Sequence, residues 1–200
     1  MSNEVVKIFE DAGALLNGHF LLTSGLHSPV YWEKSKVLQY PQYTEKLCRM
    51  IADYFRNKGI TVVAGPTTPG IIISYETARQ LGVRGIFAEK DEAGARVFRR
   101  GFIIEPGEKV LVVDDIMTTG GSVMEVITAV KKMGGTIAGV GVLVHRPAHP
   151  IDFGVPFFAC HTAEVISYQP SACPLCKAGI PLVKPGSSRQ GSPEHQQQES

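Results

Sequence analysis

The sequence has no uninterrupted apolar run of the roughly 18 residues that a transmembrane helix requires. Its first residues, MSNEVVKIFEDAGALL, include acidic side chains and do not follow the basic-then-apolar order of a signal peptide. The formal net charge is only +1, which excludes the strong basic field typical of nucleic-acid-binding proteins. Cysteine is scarce, with four in 200 residues. These absences predict a cytoplasmic protein whose cysteines are mostly reduced.

The residues that are present predict one globular domain. The chain is long enough to bury a core without disulfide or metal support, and 44% of its residues are hydrophobic while 20% are charged. We expect a single domain over residues 1–185, with a small hood formed by about 1–40 and the C-terminal part. Residues 186–200 are mainly Ser, Gln, Pro and Gly with almost no apolar side chain, and they predict a disordered tail.

The stretch VLVVDDIMTTGGSV, residues 110–123, carries the strongest functional signal. It begins with an aliphatic run typical of a strand buried on both faces. Asp114 and Asp115 end that run, and the small residues TTGGS at 118–122 precede a helical pattern. Such a loop presents backbone amides and the positive end of a helix dipole to an anion. We therefore predict a phosphate site at 118–122, with the carboxylates facing hydroxyl groups such as those of ribose.

A second unit of the same design lies earlier in the chain. TVVAG at 61–65 predicts a buried strand, PTTPG at 66–70 a loop, and the following apolar residues a helix. The alternation continues with further strands at 83–88 and 136–144 and a helix that opens at Pro41. Short strands are predicted at 157–160 and 163–167, and the polar stretch 89–96 is predicted to be a mobile loop. This order predicts an α/β fold with a doubly wound, mostly parallel sheet flanked by helices and ligands at its carboxyl edge.

The string at 110–123 resembles the 5-phosphoribosyl-1-diphosphate (PRPP) motif of the type I phosphoribosyltransferases. The resemblance implies that Asp114 and Asp115 hold the ribose hydroxyls, that the TTGGS loop holds the 5′-phosphate, and that the loop at 66–70 holds the diphosphate. The PRPP-binding residues that it implies are Asp114, Asp115, Ile116, Met117, Thr118, Thr119, Gly120, Gly121, Ser122, Thr67, Thr68, Gly70 and Lys90. It also implies Mg²⁺ bound through PRPP, without direct protein ligands.

The N-terminal pattern narrows the resemblance to the orotate phosphoribosyltransferases. FLLTSGLHSPVYW, residues 20–32, is similar to the hood segment of that family. Arg146, after the predicted strand 136–144, matches an arginine that pairs with the substrate carboxylate, and a guanidinium suits a carboxylate bidentately. The resemblance assigns orotate contacts to Thr118, Arg146, Tyr31 and Trp32.

The same family has a basic loop that closes over the active site of the neighbouring subunit in a dimer. By position, Lys90 resembles one of its lysines, so the resemblance assigns catalytic roles to Lys90, Asp114 and Asp115. A second lysine and a histidine of that loop have no obvious match. Arg96, Arg99 or Arg100 are the candidates to substitute for them, although Arg99 and Arg100 equally fit a solvated turn. We expect a homodimer in which the 89–100 loop reaches the neighbouring site.

The sequence leaves two alternative functions open. Many family members have a lysine where this chain has Thr23, and typical diphosphate loops carry a lysine where this one has Thr-Thr-Pro ending at Pro69. A proline also lacks the amide that could bind an anion. These departures leave open a phosphoribosyltransferase for another base, such as a purine, and a regulator that binds PRPP without catalysis.

The pair Cys173 and Cys176 suggests a possible metal site. With Cys160 and His161 upstream, three thiols and an imidazole could close a tetrahedral structural zinc site. A single CxxC motif is weak support, and reduced, merely structural cysteines are the alternative.

Overall fold

The structure is a computed structural model that describes residues 2–22, 24–147, 151–164 and 166–185. The predicted disordered tail at 186–200 and the departure at Thr23 lie outside the described residues. The chain divides into two compact units, a larger one of residues 2–15 and 32–164 and a smaller one of residues 16–31 and 166–185. The boundaries differ from the expected hood, because residues 2–15 and 32–40 belong to the larger unit.

The larger unit contains most of the regular structure. Its helices are α1 (Ser2–Asp11), α2 (Lys34–Leu38), α3 (Pro41–Phe55), α4 (Pro69–Leu81) and α5 (Gly121–Lys132). Its strands are β3 (Val62–Pro66), β4 (Arg84–Lys90), β5 (Arg96–Phe98), β6 (Lys109–Met117), β7 (Thr136–His145) and β8 (Phe157–Thr162). None of the described helices is both long and apolar enough to cross a membrane.

The six strands form one sheet in the order β5-β4-β3-β6-β7-β8. All neighbouring pairs are parallel except β4 and β5, which are antiparallel. The predicted mostly parallel α/β fold is therefore confirmed. The chain moves outward from β3 to β4 and β5 and then returns to the other side of β3 as β6. This reversal makes the carboxyl ends of β3 and β6 a topological switch point, where open α/β sheets bind ligands.

Helices cover both faces of the sheet because its central strands are apolar on both sides. Val110 and Val112 of β6 join a buried cluster with Val126 and Val130 of α5. On the opposite face, a side chain at Gly141 of β7 would collide with Ile51 of α3, and one at Gly139 with Phe55. Glycine at these two β7 positions therefore lets α3 lie close to the sheet.

Two predicted elements differ from the structure. Residues 89–96, expected to be a mobile loop, form a β-hairpin in which Lys90 at the end of β4 pairs with Arg96 at the start of β5. Asp91 closes its tight turn, since its side chain accepts a hydrogen bond from the Ala95 amide at 2.8 Å. The strand predicted at 157–160 is confirmed as β8, whereas the described residues of 163–167 form no strand.

The smaller unit is built from two strands and the C-terminal segment. β1 (Leu15–Leu21) and β2 (His27–Trp32) form a two-stranded sheet, each with one terminal residue in the larger unit. Isolated bridges join Phe20 to Val183 and His27 to Tyr168. A 3₁₀ turn at Pro170–Ala172 leads into a one-turn helix, α6 (Pro174–Lys177).

Candidate active site

The paired acids lie within β6 and do not end it. The strand continues through Asp114 and Asp115 to Met117, because its parallel pairing with β7 extends to His145. Both acids are almost fully buried, with 5% and 2% of their surfaces exposed. Buried carboxylates require hydrogen-bond donors, so their position near the carboxyl edge of the sheet marks a polar site inside an apolar fold.

Asp114 links the end of β6 to the start of α5. Its Oδ1 accepts a hydrogen bond from the Asp115 amide at 2.9 Å, and its Oδ2 accepts one from the Ser122 hydroxyl at 2.6 Å. The Asp115 carboxylate accepts a bond from the Ile116 amide. Each carboxylate oxygen has a second lone pair, so both groups can still accept bonds from a ligand hydroxyl. Asp114 therefore also ties the loop at 118–121 to the end of β6.

The loop at 118–121 is shaped to receive an anion. Thr118 and Thr119 are exposed, and Gly120 adopts a left-handed conformation with φ of +74° directly before α5. A side chain at Gly120 would also approach the Phe153 ring at 3.3 Å. No side chain caps the α5 N-terminus, so its first amides are available to a bound anion and the helix dipole favours negative charge there.

The second loop, between β3 and α4, flanks the same switch point. Its peptide bond between Thr67 and Thr68 is cis. The Thr67 amide donates to the Ala88 carbonyl at 3.0 Å, so the predicted use of this amide for an anion competes with a bond to the sheet. Thr68 is exposed, and Pro69 occupies the first turn of α4, where a missing N–H costs no helical hydrogen bond.

Gly65 and Gly70 bring the two sides of this loop into close contact. A Cβ atom on Gly65 would overlap the Gly70 carbonyl, and one on Gly70 would lie 2.7 Å from Cδ of Pro66. Both obstacles belong to backbone or ring atoms that cannot rotate away. Only glycine fits at these two positions without displacing the loop.

We expect Gly65→Ala to lower the free energy of unfolding by about 1–3 kcal/mol, the usual cost of overpacking a rigid site. Gly121→Ala is the matched control, because a Cβ there meets only the Thr119 hydroxyl at 3.8 Å. Its stability should be unchanged, or higher by up to about 1 kcal/mol from helix propensity. Urea unfolding measures both, and a Gly65→Ala protein as stable as the native one would contradict the close approach.

Arg96 is the cation that the structure brings to this loop. Its guanidinium Nη1 donates to the Thr67 hydroxyl at 2.7 Å and to the Ala88 carbonyl at 3.1 Å. Its side chain is 8% exposed, and its Nε lies 3.4 Å from a Glu125 carboxylate oxygen. Of the three arginines that the sequence leaves open, Arg96 is therefore the one beside Thr67, and it lies on β5, a strand that the polar sequence of 89–96 does not predict.

The other basic residues of the hairpin have different surroundings. Arg100 forms a two-bond ion pair with Glu89, and those hydrogen bonds hold the pKa of the Glu89 carboxyl below its usual value. This contact pairs Arg100 with a residue of β4. Lys90 is exposed at the end of β4.

Arg146 follows β7, and its backbone lies beside the end of β6. Its amide donates to the Met117 carbonyl at 2.8 Å, which places its backbone next to the residue before Thr118. The preceding His145 packs against the Phe157 ring with 5.1 Å between centroids, and burial lowers the pKa of its imidazole. The backbone of Arg146 therefore lies beside that of Met117, the residue before Thr118, and the assignment of Thr118 and Arg146 to orotate stays a prediction.

The two hood aromatics occupy different environments. Trp32 is only 8% exposed and packs against Phe9 at 4.9 Å and His161 at 5.6 Å between ring centroids. The ring of Trp32 thus belongs to a buried aromatic cluster of the larger unit, which leaves little of it open to a substrate. Tyr31, in the smaller unit, is half-buried, and its ring lies 5.7 Å from that of Phe20.

The cysteines separate into two groups. Cys48 and Cys160 are buried in the larger unit, where burial raises the pKa of the Cys48 thiol to about 12 and also raises that of Cys160. The Cys160 thiol donates to the Leu47 carbonyl at 3.4 Å. Cys173 and Cys176 instead gather with His19 and His27 in the smaller unit. The proposed zinc set is therefore corrected: this cluster contains two histidines in place of Cys160 and His161.

Sequence similarity to known proteins identifies the family of this chain. Residues 34–153 match the family described as "Phosphoribosyl transferase domain". A protein of Pelotomaculum thermopropionicum named orotate phosphoribosyltransferase is 59% identical over 187 residues, covering 94% of this chain and 98% of the relative. One of Desulforamulus reducens with the same name is 53% identical over 184 residues, covering 92% and 96%.

Solved structures share the fold at low sequence identity. Orotate phosphoribosyltransferase from Aeropyrum pernix aligns with a TM-score of 0.66 and 24% identity over 79% of this chain and 93% of that chain. Adenine phosphoribosyltransferase from Thermoanaerobacter pseudethanolicus aligns with a TM-score of 0.57 and 18% identity, over 67% and 88%. The fold is thus shared by enzymes named for different bases. The two relatives that are more than 50% identical over nearly the full length, in contrast, have the same name. The chain belongs to the orotate phosphoribosyltransferases, a family of phosphoribosyl transferase enzymes.

Proposed function

We propose that this chain transfers the 5-phosphoribosyl group of PRPP to orotate, releasing diphosphate and forming orotidine 5′-phosphate for pyrimidine nucleotide synthesis. The observation that carries the proposal is the arrangement at the end of β6. Two buried carboxylates there precede the exposed Thr118-Thr119 pair and α5, whose N-terminus has no side-chain cap. The Arg146 amide is bonded to the carbonyl of Met117, the residue before Thr118. The relatives named orotate phosphoribosyltransferase over nearly the whole chain support the choice of base.

The ribose 5-phosphate half of the substrate fits the β6–α5 loop. The phosphate receives amides at 118–122 and the positive end of the α5 dipole, while Thr118 and Thr119 add hydroxyl donors. Asp114 and Asp115 accept hydrogen bonds from the ribose 2′- and 3′-hydroxyls. Ser122 takes part indirectly, because its hydroxyl is held by Asp114.

The orotate half of the site uses Arg146 for the carboxylate and Thr118 for a further hydrogen bond. A guanidinium fork matches a carboxylate with two parallel bonds, which fixes the orientation of the ring. Tyr31 is proposed as an aromatic contact of the base. Trp32 is a weaker candidate for this role because its ring is already packed against Phe9.

In the reaction, a ring nitrogen of orotate forms a bond to the anomeric carbon while the bond from that carbon to the diphosphate oxygen breaks. Orotate supplies the electron pair as an anion, so no protein nucleophile is needed. The protein orients the two substrates and offsets the negative charge that accumulates on the diphosphate. We assign that charge compensation to Arg96 beside Thr67, to Lys90, and to the loop at 67–70.

This site would hold Mg²⁺ mainly through the oxygen atoms of bound PRPP. Carboxylate and phosphate oxygens are the ligands that the ion prefers, and it usually retains several waters. Both Asp114 oxygens already accept protein hydrogen bonds, so PRPP oxygens would be its main ligands, with Asp114 and Asp115 nearby. When bound, the ion neutralises part of the diphosphate charge.

We also propose that the enzyme works as a homodimer in which the hairpin at 89–100 reaches the neighbouring site. Lys90 supports this idea, since it projects from the exposed end of β4 next to the turn at 91–95. A cytoplasmic location remains the prediction made from the composition. Sedimentation equilibrium tests the dimer, and a monomer at assay concentration with full activity would contradict it.

A panel of bases tests the proposed function. The native protein, with PRPP and Mg²⁺, should release diphosphate with orotate and show no release with adenine or hypoxanthine. Release with a purine alone would establish the alternative transferase. Calorimetric binding of PRPP without diphosphate release from any base would establish the regulator.

A further inference from the structure

Four side chains of the smaller unit form a compact cluster, and none of them is among the residues assigned to PRPP. They are His19 of β1, His27 at the start of β2, and Cys173 and Cys176 at either end of the first turn of α6. One ligand-type atom from each lies within 4.8 Å of all the others. His19, His27 and Cys173 are buried, and Cys176 reaches the surface.

Three of the N···S distances are close to the edges of a zinc tetrahedron. Bond lengths of about 2.3 Å to sulfur and about 2.05 Å to nitrogen require N···S edges of about 3.6 Å. The Sγ atoms of Cys173 and Cys176 lie 3.5 and 3.8 Å from His19 Nε2, and Cys176 Sγ lies 3.3 Å from His27 Nδ1. The two imidazole nitrogens are 2.9 Å apart, slightly closer than the roughly 3.3 Å that a bound ion would impose.

The hydrogen bonding of His19 prepares it to act as a ligand. Its Nδ1 lies 2.7 Å from the Ile180 carbonyl oxygen, which can only accept, so this nitrogen carries the proton. In a neutral imidazole the lone pair then resides on Nε2, the atom that faces both cysteines. Metal-bound histidines typically donate their other N–H in this way, and the bond fixes both tautomer and ring orientation.

The backbone brings these residues together across a large separation in sequence. His27 and Tyr168 exchange backbone hydrogen bonds at 2.9 and 2.8 Å, and the Val183 amide donates to the His19 carbonyl at 2.8 Å. Both ends of the segment that carries the CxxC motif are therefore attached to the strands that carry the histidines. The four side chains converge because of this pairing, which a reading of local spacing does not reveal.

The smaller unit has little else in its interior. It contains fewer than 40 described residues, a size at which folded units usually depend on disulfides, metals or association. Its buried described residues are His19, Phe20, His27, Ser28 and Cys173, so three of the five are members of the cluster. Phe20 is the one large apolar side chain among them, which leaves the polar cluster as the centre of the unit.

We propose that His19, His27, Cys173 and Cys176 bind one structural Zn²⁺ ion that holds the C-terminal segment to β1 and β2. Two thiolates and two imidazoles are a donor set that zinc prefers, and hard cations such as Mg²⁺ prefer oxygen. All four positions of the tetrahedron are supplied by the protein, so the ion has no open site for catalysis. The proposal does not depend on the proposed transferase reaction.

Metal analysis of protein made without a polyhistidine tag tests the site. After loading with Zn²⁺ and extensive dialysis, the native protein should retain about one zinc per chain by elemental mass spectrometry. Replacement by Co²⁺ should give tetrahedral d–d absorption and thiolate-to-cobalt charge-transfer bands. Chelation should lower the melting temperature, because metal binding of this type contributes directly to folding.

Matched variants distinguish this set from the one with Cys160 and His161. Cys176→Ser changes an exposed residue, so the protein should fold while losing zinc and the cobalt charge-transfer bands. Cys173→Ser, at a buried position, should also lose zinc and these bands. Cys160→Ala should retain one zinc. A native protein that retains no zinc, a Cys176→Ser protein that keeps it, or a Cys160→Ala protein that loses it would each overturn the proposal.

Discussion

Replacing Arg146 with alanine is expected to lower kcat/KM for orotate by about 100-fold or more, with little change in the KM for PRPP. Removing one partner of a desolvated, hydrogen-bonded charge pair typically costs about 2–5 kcal/mol. The backbone of Arg146 is held by Met117 through its amide, which the substitution retains. The protein should therefore fold normally, and the loss should fall on recognition of the carboxylate.

Arg146→Lys and uracil are the controls for this prediction. Lysine keeps the charge but lacks the two-pronged fork, so the lysine variant should recover only part of the lost activity. Uracil lacks the carboxylate, so we expect the native enzyme to prefer orotate over uracil and this preference to shrink in Arg146→Ala. Steady-state kinetics with both bases measures it. If Arg146→Ala consumes orotate as well as the native enzyme does, the carboxylate assignment is wrong.

The second large effect is expected at Arg96. Arg96→Gln should lower kcat/KM for PRPP by about 10- to 100-fold, since hydrogen bonds to charged groups contribute about 1.5–3 kcal/mol. The guanidinium lies against Thr67 in the loop assigned to diphosphate, and it is nearly buried there. No lysine occupies the loop at 66–70, so Arg96 is the positive charge closest to it that the described contacts identify.

Arg99→Gln is the matched control because it alters the same hairpin without a described contact to Thr67. It should leave the KM for PRPP within about twofold of the native value, as expected for an exposed charge. Arg96→Lys should restore part of the activity, which a purely structural role would not predict. Equal KM values for PRPP in native and Arg96→Gln enzymes, together with reduced thermal stability, would show that Arg96 only supports the fold.

The sequence predicts best the parts of the fold that depend on contiguous apolar runs. β3, the Val110–Val113 part of β6 and most of β7 are aliphatic, as expected of strands covered on both faces, and their order between helices leads directly to the doubly wound sheet. The position of the loop at 118–120 between β6 and α5 also agrees with the sequence, while its assignment to a phosphate stays a prediction. Short elements are harder to predict from sequence: α2 spans five residues and has no side-chain N-cap.

The features that the sequence does not predict depend on pairing between separate segments of the chain. The hairpin at β4 and β5 contains charged residues that resemble a loop, and only antiparallel pairing of Lys90 with Arg96 turns the latter toward Thr67. The cluster of His19, His27, Cys173 and Cys176 requires contacts between residues about 150 positions apart. With six histidines in the chain, the CxxC motif alone does not select which two join it.

Asp115→Asn beside the native protein, in an assay of orotate absorbance with PRPP and Mg²⁺, tests the central claim most directly. The account predicts that the native protein consumes orotate only when PRPP and Mg²⁺ are both present, that mass spectrometry identifies orotidine 5′-phosphate, and that Asp115→Asn is slower by about 100-fold or more. No consumption of orotate by the native protein, or equal rates for the two proteins, would contradict it.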